Sequence, residues 1–175
     1  MILPDSAPHF TVPAPAPTIA YVALGSNLGD RLAHLEAAFA ALDALPDTRL
    51  VARSPIFETP PFGPPGQQDY LNASAALSTR LSPHALLDAL LAIEQTRGRV
   101  RLERYGPRTL DLDLLLHGDS EIHDARLTLP HPAMLGRAFV LVPLCELAPD
   151  LVLAGRTLTQ HLSVLDQSGI RRLID

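Results

Sequence analysis

Between Ile19 and Leu116 the apolar segments switch periodicity in the order strand, helix, strand, strand, helix, strand, and no other property of the chain limits its fold so tightly. Ile19 to Leu24 is a continuous apolar run, read as a buried strand; Gly25-Ser26-Asn27 ends it with turn chemistry and offers a helix N-cap. The following helix carries Leu32, Leu35, Phe39 and Leu42 on one face until Pro46-Asp47 breaks it. Leu50 to Glu58 reads as the second strand, and the proline-rich stretch Thr59 to Gly66 forces a long rigid loop. Tyr70 to Thr79 is the third strand. Ser82-Pro83 then opens a helix as N-cap and N1 proline, with Leu86, Leu87, Leu90 and Ile93 as its apolar stripe and Gly98 as its end. Thr109 to Leu116 is the fourth strand.

Two further helices are expected, around Arg137 to Leu147 and over Leu158 to Leu165. The predicted class is α+β: a ferredoxin-like βαββαβ sheet with helices packed on it and additional C-terminal helices. A length of 175 residues with 47% hydrophobic content fits one domain with a full-sized core. Residues 1–17, rich in proline, read as a mobile tail, and 18–175 as the single domain. The tail has neither a basic n-region nor a long apolar core, so no leader or membrane span is expected and a cytoplasmic location is the default. The single cysteine, Cys145, lies in an apolar run, which excludes a disulfide framework.

The fourth strand carries the chemistry. Five arginines (Arg97, Arg99, Arg101, Arg104, Arg108) precede Asp111-Leu-Asp113. Strand alternation puts Asp111 and Asp113 on one face, roughly 7 Å apart at about 3.3 Å of rise per residue, and Leu110, Leu112, Leu114 and Leu116 on the other. Two hard carboxylates so spaced suit Mg²⁺, which keeps waters and takes further ligands from substrate phosphates. Arginine forks match phosphate oxygens. An Asp-x-Asp alone is more often a solvated or salt-bridged sheet surface. Here the apolar Leu114-Leu115 end suggests a central strand covered on both faces, where buried carboxylates need pairing or a metal. All 14 basic residues are arginine, so lysine-dependent phosphate loops and Schiff bases are excluded. The net charge of −5 argues against a general nucleic-acid or membrane-surface binder.

An acceptor site is read from Thr59 to Gly66 and Asp69 to Asn72. Proline-locked backbone presents fixed carbonyls and amides, and Asn72 presents a donor and an acceptor, a wall suited to the edge of a planar heterocycle. A merely stiff connection is the alternative. Tyr105 in the arginine loop and Phe139 at the next helix are the aromatics available to stack on such a ring, although Phe139 fits plain core equally well.

Five strings, Ala23-Leu-Gly-Ser-Asn-Leu-Gly29, Thr59-Pro-Pro-Phe-Gly63, Asp69-Tyr-Leu-Asn72, Arg104-Tyr-Gly-Pro-Arg-Thr-Leu-Asp-Leu-Asp113 and Leu129-Pro-His-Pro132 with Arg137-x-Phe139, together resemble the 6-hydroxymethyl-7,8-dihydropterin pyrophosphokinase family of folate biosynthesis. The resemblance runs from about Ile19 to the last helix. It implies transfer of the pyrophosphoryl group of ATP to the pterin's hydroxymethyl oxygen, leaving AMP, with two Mg²⁺ ions on Asp111 and Asp113. It implies Arg99, Arg101 and Arg108 at the phosphates, with Arg99 and Arg101 on a closing loop. Glu94, Arg126, Thr128, His131 and Arg137 resemble the nucleotide-site residues. For the pterin the match points to Thr59, Pro61, Phe62 and Asn72, with Tyr70, Tyr105 and Phe139 lining or covering the ring. Tyr105 stands where relatives often carry tryptophan, Pro132 where some carry tyrosine, and the arginine loop is one residue shorter than in some relatives.

Two other readings use the same residues. A non-catalytic ferredoxin-like module for nucleotide or RNA fits the strand order, but lacks aromatic strand positions and leaves the acidic pair unexplained. An enzyme of similar chemistry on another acceptor is the third. ATP and a small pterin, with neither nucleic acid nor membrane, are the expected partners of a monomer.

Overall fold

The computed structural model describes residues 15–61, 66–98 and 107–173. The main elements, in chain order, are β1 (Thr18–Ser26), α1 (Arg31–Asp43), β2 (Thr48–Arg53), β3 (Phe57–Thr59), β4 (Tyr70–Thr79), α2 (Pro83–Thr96) and β5 (Asp111–His117). Shorter pieces follow: β6 (Ile122–His123), β7 (Thr128–Leu129), a 3₁₀ turn over Met134–Gly136, α3 (Ala138–Cys145), β8 (Val152–Leu153), β9 (Arg156–Thr157), α4 (Leu158–Leu162) and β10 (Arg171–Arg172). The class is α+β.

β1 lies between β4 and β5, antiparallel to both; β4 pairs on its other side with β2 and then β3, and β10 adds to β3. The expected single strand Leu50 to Glu58 is thus two strands. Pro55 has no N–H for a ladder, and Ser54 turns inward, donating its backbone N–H to the Ser74 carbonyl at 2.9 Å while its Oγ accepts from the Ser74 N–H at 2.8 Å.

α1 and α2 cover one sheet face, where Leu24, Leu35, Leu42, Leu77, Leu86 and Leu90 are fully buried. Cutting any of these leucines back to alanine removes about 2–5 kcal/mol, by transfer and cavity together. Leu32 is the exception to the predicted stripe: it lies in the first turn, beyond the covered area, and is 48% exposed. α1 is capped by Asp30, whose side chain accepts from the Ala33 N–H, while Asn27 is used elsewhere. α2 starts on Ser82 and Pro83 as expected, and Gly98 follows its C-cap at φ +73°, a conformation that favours glycine.

The opposite face is covered by α3, α4 and the 3₁₀ turn, around Leu115, Met134, Leu141, Leu144 and Leu158. α3 is shorter than the Arg137–Leu147 helix anticipated, and Pro143 inside it cannot donate a helical hydrogen bond. α4 likewise ends at Leu162 rather than Leu165, although a capping box between Thr157 and Gln160 fixes its start.

β5 stands at the end of the described strand order rather than at its centre, yet both of its faces are covered. Its outer edge is satisfied by other means: the Leu112 N–H donates to Glu94 Oε1 at 2.7 Å, and the Leu115 carbonyl accepts from the His131 N–H at 2.9 Å. Between Tyr21 and Val22 the β1–β5 register slips by one residue at Leu115. The bulge turns Leu116 to the α3 face, away from Leu110, Leu112 and Leu114.

Candidate active site

The site lies on the α3 face of the sheet, at the end not filled by α3. Strand pairing assembles its floor. Gly25 on β1 pairs with Asp111 on one side and Asn72 on the other, and Ala23 pairs with Asp113 and Ser74. One sheet face therefore carries the acidic pair and the candidate acceptor residue on the two strands that flank β1. Gly25 has a steric reason to be glycine: an added Cβ would lie 3.0 Å from Asn72 Oδ1 and 3.7 Å from Tyr70 Cδ1. The Asn72 amide thus rests over the glycine, and its Nδ2 donates to Thr59 Oγ1 at 2.7 Å, both residues being buried.

Above this floor one cleft is lined by Thr59, Pro60, Tyr70, Asn72, Phe139 and Val140 at one end and by Arg108, Asp111, Asp113, His131 and Arg137 at the other. Pro60, rather than the expected Pro61, forms its proline wall. The Arg137 guanidinium sits 5.8 Å from the centre of the Phe139 ring, a cation–π contact joining the two ends. A second cleft adjoins the carboxylates on their other side. It runs between α2 (Leu87, Leu91, Glu94) and the segment Asp124 to Thr128, and shares Arg108, Asp111, Asp113 and His131 with the first.

The electrostatics of the shared wall are strongly acidic. Burial, then the negative Asp111 and Glu94 nearby, raise the Asp113 carboxyl to about 6, against the opposing pull of Arg137 and Arg108. Arg108 donates from its guanidinium to Asp111 Oδ2 at 2.6 Å. His131 is pushed below the ordinary imidazole range by burial first and by Arg137 second, which keeps it neutral at pH 7. Among the described residues no three histidine, cysteine or acidic side chains group as metal ligands. Two carboxylates on one face, Asp113 being crowded by negative charge, instead fit a hard cation that takes its other ligands from water and phosphate.

Asn27, read from the sequence only as a turn or cap residue, locks the surrounding loops. Its backbone N–H donates to the Arg108 carbonyl at 3.0 Å and its Oδ1 accepts from the Arg108 N–H at 2.7 Å. Its Nδ2 donates to Gln67 Oε1 at 3.1 Å and to the Gln68 carbonyl at 3.4 Å. Ser26 Oγ donates to the Thr109 carbonyl at 2.6 Å. The β1 terminus therefore ties the approach to the acidic strand to the approach to Tyr70. The only sign of this in the sequence was the Ala23–Gly29 string.

The remaining expected residues divide. Glu94, 2% exposed, lines the second cleft but commits one oxygen to the β5 backbone. Arg126 and Thr128 line the same cleft, Arg126 being ion-paired with Asp88 of α2. Phe62, Arg99, Arg101 and Tyr105 lie outside the described residues.

Residues 21–149 match the family model for 7,8-dihydro-6-hydroxymethylpterin-pyrophosphokinase (HPPK). The chain belongs to this family. Its HPPK relatives include the 2-amino-4-hydroxy-6-hydroxymethyldihydropteridine pyrophosphokinase of Methylorubrum extorquens, 50% identical over 89% of this chain and 99% of the relative. The enzyme of the same name from Pseudomonas aeruginosa is 53% identical over 87% of this chain and 95% of the relative. Among solved structures, an HPPK-DHPS in complex with substrates superposes with a TM-score of 0.74 at 12% identity, covering 92% of this chain and 47% of that one. A Plasmodium falciparum HPPK-DHPS triple mutant superposes at 0.68 and 14% identity, covering 84% and 43%. The chain thus spans less than half the length of those two-part proteins, and at such identities the likeness concerns the fold alone.

Proposed function

We propose that this chain transfers the pyrophosphoryl group of ATP to 6-hydroxymethyl-7,8-dihydropterin, as its family membership implies, in folate biosynthesis. The acceptor's hydroxymethyl oxygen attacks the β-phosphorus, the bond from that phosphorus to the α,β-bridging oxygen breaks, and AMP departs as the hydroxyl proton is lost. The observation that supports the reading is the pairing of Gly25 with both Asp111 and Asn72, which brings the candidate acceptor and phosphate residues to one sheet face with a single strand between them.

In this reading Asn72, with Thr59 behind it, reads the pterin edge, while Tyr70 and Phe139 contact the ring; Pro61, Phe62 and Tyr105 are assigned to the pterin on the resemblance of their strings. Arg108 and Arg137 meet phosphate oxygens, with Arg99 and Arg101 assigned there on the resemblance of their loop. Their work is positioning and charge stabilisation, the main demands of phosphoryl-type transfer. Neutral His131 offers a hydrogen bond from the wall common to both clefts, and Glu94, Arg126 and Thr128 line the nucleotide's side. Asp111 and Asp113 would hold two Mg²⁺ ions, which supply charge neutralisation at the phosphates and a lower pKa for the attacking hydroxyl. Replacing either aspartate by alanine is expected to abolish AMP formation from ATP, Mg²⁺ and the pterin while the fold persists; near-normal turnover in both variants contradicts the reading.

The wider reading is a ferredoxin-like single domain over 18–175, monomeric and cytoplasmic. The order β2/β3, β4, β1, β5, antiparallel throughout, supports the ferredoxin-like assignment.

A further inference from the structure

The acceptor loop leaves the sheet after Thr59 and returns at Tyr70, and these two residues pair with each other. Directly behind that pair, on the α1 face, Arg31 at the first position of α1 spans both limbs. One guanidinium nitrogen donates to the Asp69 carbonyl at 2.7 Å, and the other lies 3.0 Å from Glu58 Oε1. Both side chains are largely covered, at 27% and 21% exposure, so this contact is better shielded than an ordinary surface ion pair. A planar fork suits the task, because its two ends bind in fixed directions and hold the limbs at a set separation.

The outgoing side of the same wall is braced from the chain's far end. Arg171 of β10 pairs in register with Glu58 and donates to its Oε2 at 2.9 Å, and the Leu173 N–H donates to the Ile56 carbonyl at 2.8 Å. Gly169, at φ +77°, packs so closely on Pro60 that an added Cβ would lie 2.7 Å from its Cγ. Pro60 is in turn a wall of the acceptor end of the cleft. Arg31, Glu58, Gly169, Arg171 and Leu173 themselves line neither of the two clefts.

We infer that Arg31, seconded by Glu58 and the Gly169–Arg172 segment, is a positioning device for the pterin: it sets the width of the acceptor slot from behind and leaves the nucleotide side untouched. The inference rests on the acceptor site proposed above. Its consequence is selective. A slot whose wall drifts by a fraction of an ångström loses affinity for a flat, edge-read ligand, while residues around Asp111 and Asp113 keep their places.

The test is steady-state kinetics of the full chain with each substrate varied in turn, on Arg31→Ala, Arg31→Lys, Gly169→Ala and Asn72→Ala, with melting temperature recorded for each. Arg31→Ala is expected to raise KM for the pterin by about ten-fold and to leave KM for ATP within about two-fold. Arg31→Lys, able to serve one limb at a time, falls between it and the parent. Gly169→Ala pushes the wall through Pro60 without altering any charge, so it gives the same selective rise even where an Arg31 variant folds poorly. A lowered melting temperature with both KM values unchanged in the Arg31 and Gly169 variants overturns the inference, since it makes the device merely structural. If Asn72→Ala raises the pterin KM while those variants do not, the positioning claim alone is lost; if Asn72→Ala also changes nothing, the acceptor site itself is misassigned and both fall.

Discussion

The floor of the cleft and the rim of its neighbour are built from opposite materials. On the floor, Asn72 and Thr59 share a buried neutral hydrogen bond over Gly25, with sheet pairing beneath them. On the rim, the segment Asp124 to Thr128 is held to α2 by His84–Asp124 at 2.8 Å and by Asp88–Arg126, pairs in which every side chain is at least 40% exposed. A buried polar group that loses its partner retains its full desolvation cost, whereas an exposed ion pair exchanges partners with water at small net cost. The difference teaches that the end proposed for the acceptor is preformed, while the end proposed for the nucleotide has a wall that can yield as a large charged ligand enters.

Gly25→Ala should break the comparison most violently, because it attacks the preformed side. The new methyl would displace the Asn72 amide from Thr59 and crowd the strip between Asn72 and Asp111. Loss of kcat/KM for the pterin by about 100-fold is expected, with little change in fold by circular dichroism. Normal pterin kinetics would mean that the floor is as yielding as the rim.

Asp113 sharpens the comparison through pH. Its carboxyl is raised from 3.8 to about 6, so the folded, metal-free chain holds this proton more tightly than the unfolded chain does. The associated stability is complete below about 4 and is lost as pH rises through about 6. In the presence of chelator, Asp113→Asn should therefore melt about 4 °C above the parent at pH 8, the gap closing as pH falls below that window. A parent that is the more stable of the two at pH 8 would show that the acidic wall is not strained by its own charge.

Asp88→Ala is the mildest test. Releasing Arg126 from α2 should shift KM for ATP by about two-fold and leave the pterin KM unchanged. An effect on the pterin rather than on ATP would exchange the roles assigned to the two ends.

The parts of this architecture that declare themselves in sequence are those governed by local rules. Tyr70–Thr79 emerges with the bounds expected from its apolar run, and Ser82-Pro83 caps α2 as its chemistry requires. Pairing and edges are non-local, and there the sequence is silent: β5 looked central because Leu114 and Leu115 make its far end apolar on both faces, but its outer edge is covered by the Glu94 side chain and the His131 backbone. Strand alternation put Leu116 on the wrong face because a bulge at Leu115 has no local signature. Asp111, Asp113, Asn72 and Tyr70 could be named from spacing and motif. Gly25, Asn27 and Arg31 could not be assigned tasks that way, since each acts through residues far away in the chain, from Glu58 for Arg31 to Asp111 for Gly25.

The central claim is that Asp111 and Asp113 together grip divalent metal at the nucleotide's phosphates, next to a ready-made pterin slot. Its most direct test is a crystal of the chain grown with Mn²⁺, a non-hydrolysable ATP analogue and the pterin, with the metal located by anomalous scattering. Two metal peaks, each within bonding distance of both an aspartate oxygen and a phosphate oxygen, are predicted, with the pterin lying against Asn72. Peaks bound to phosphate alone, with both carboxylates turned away, would contradict the account.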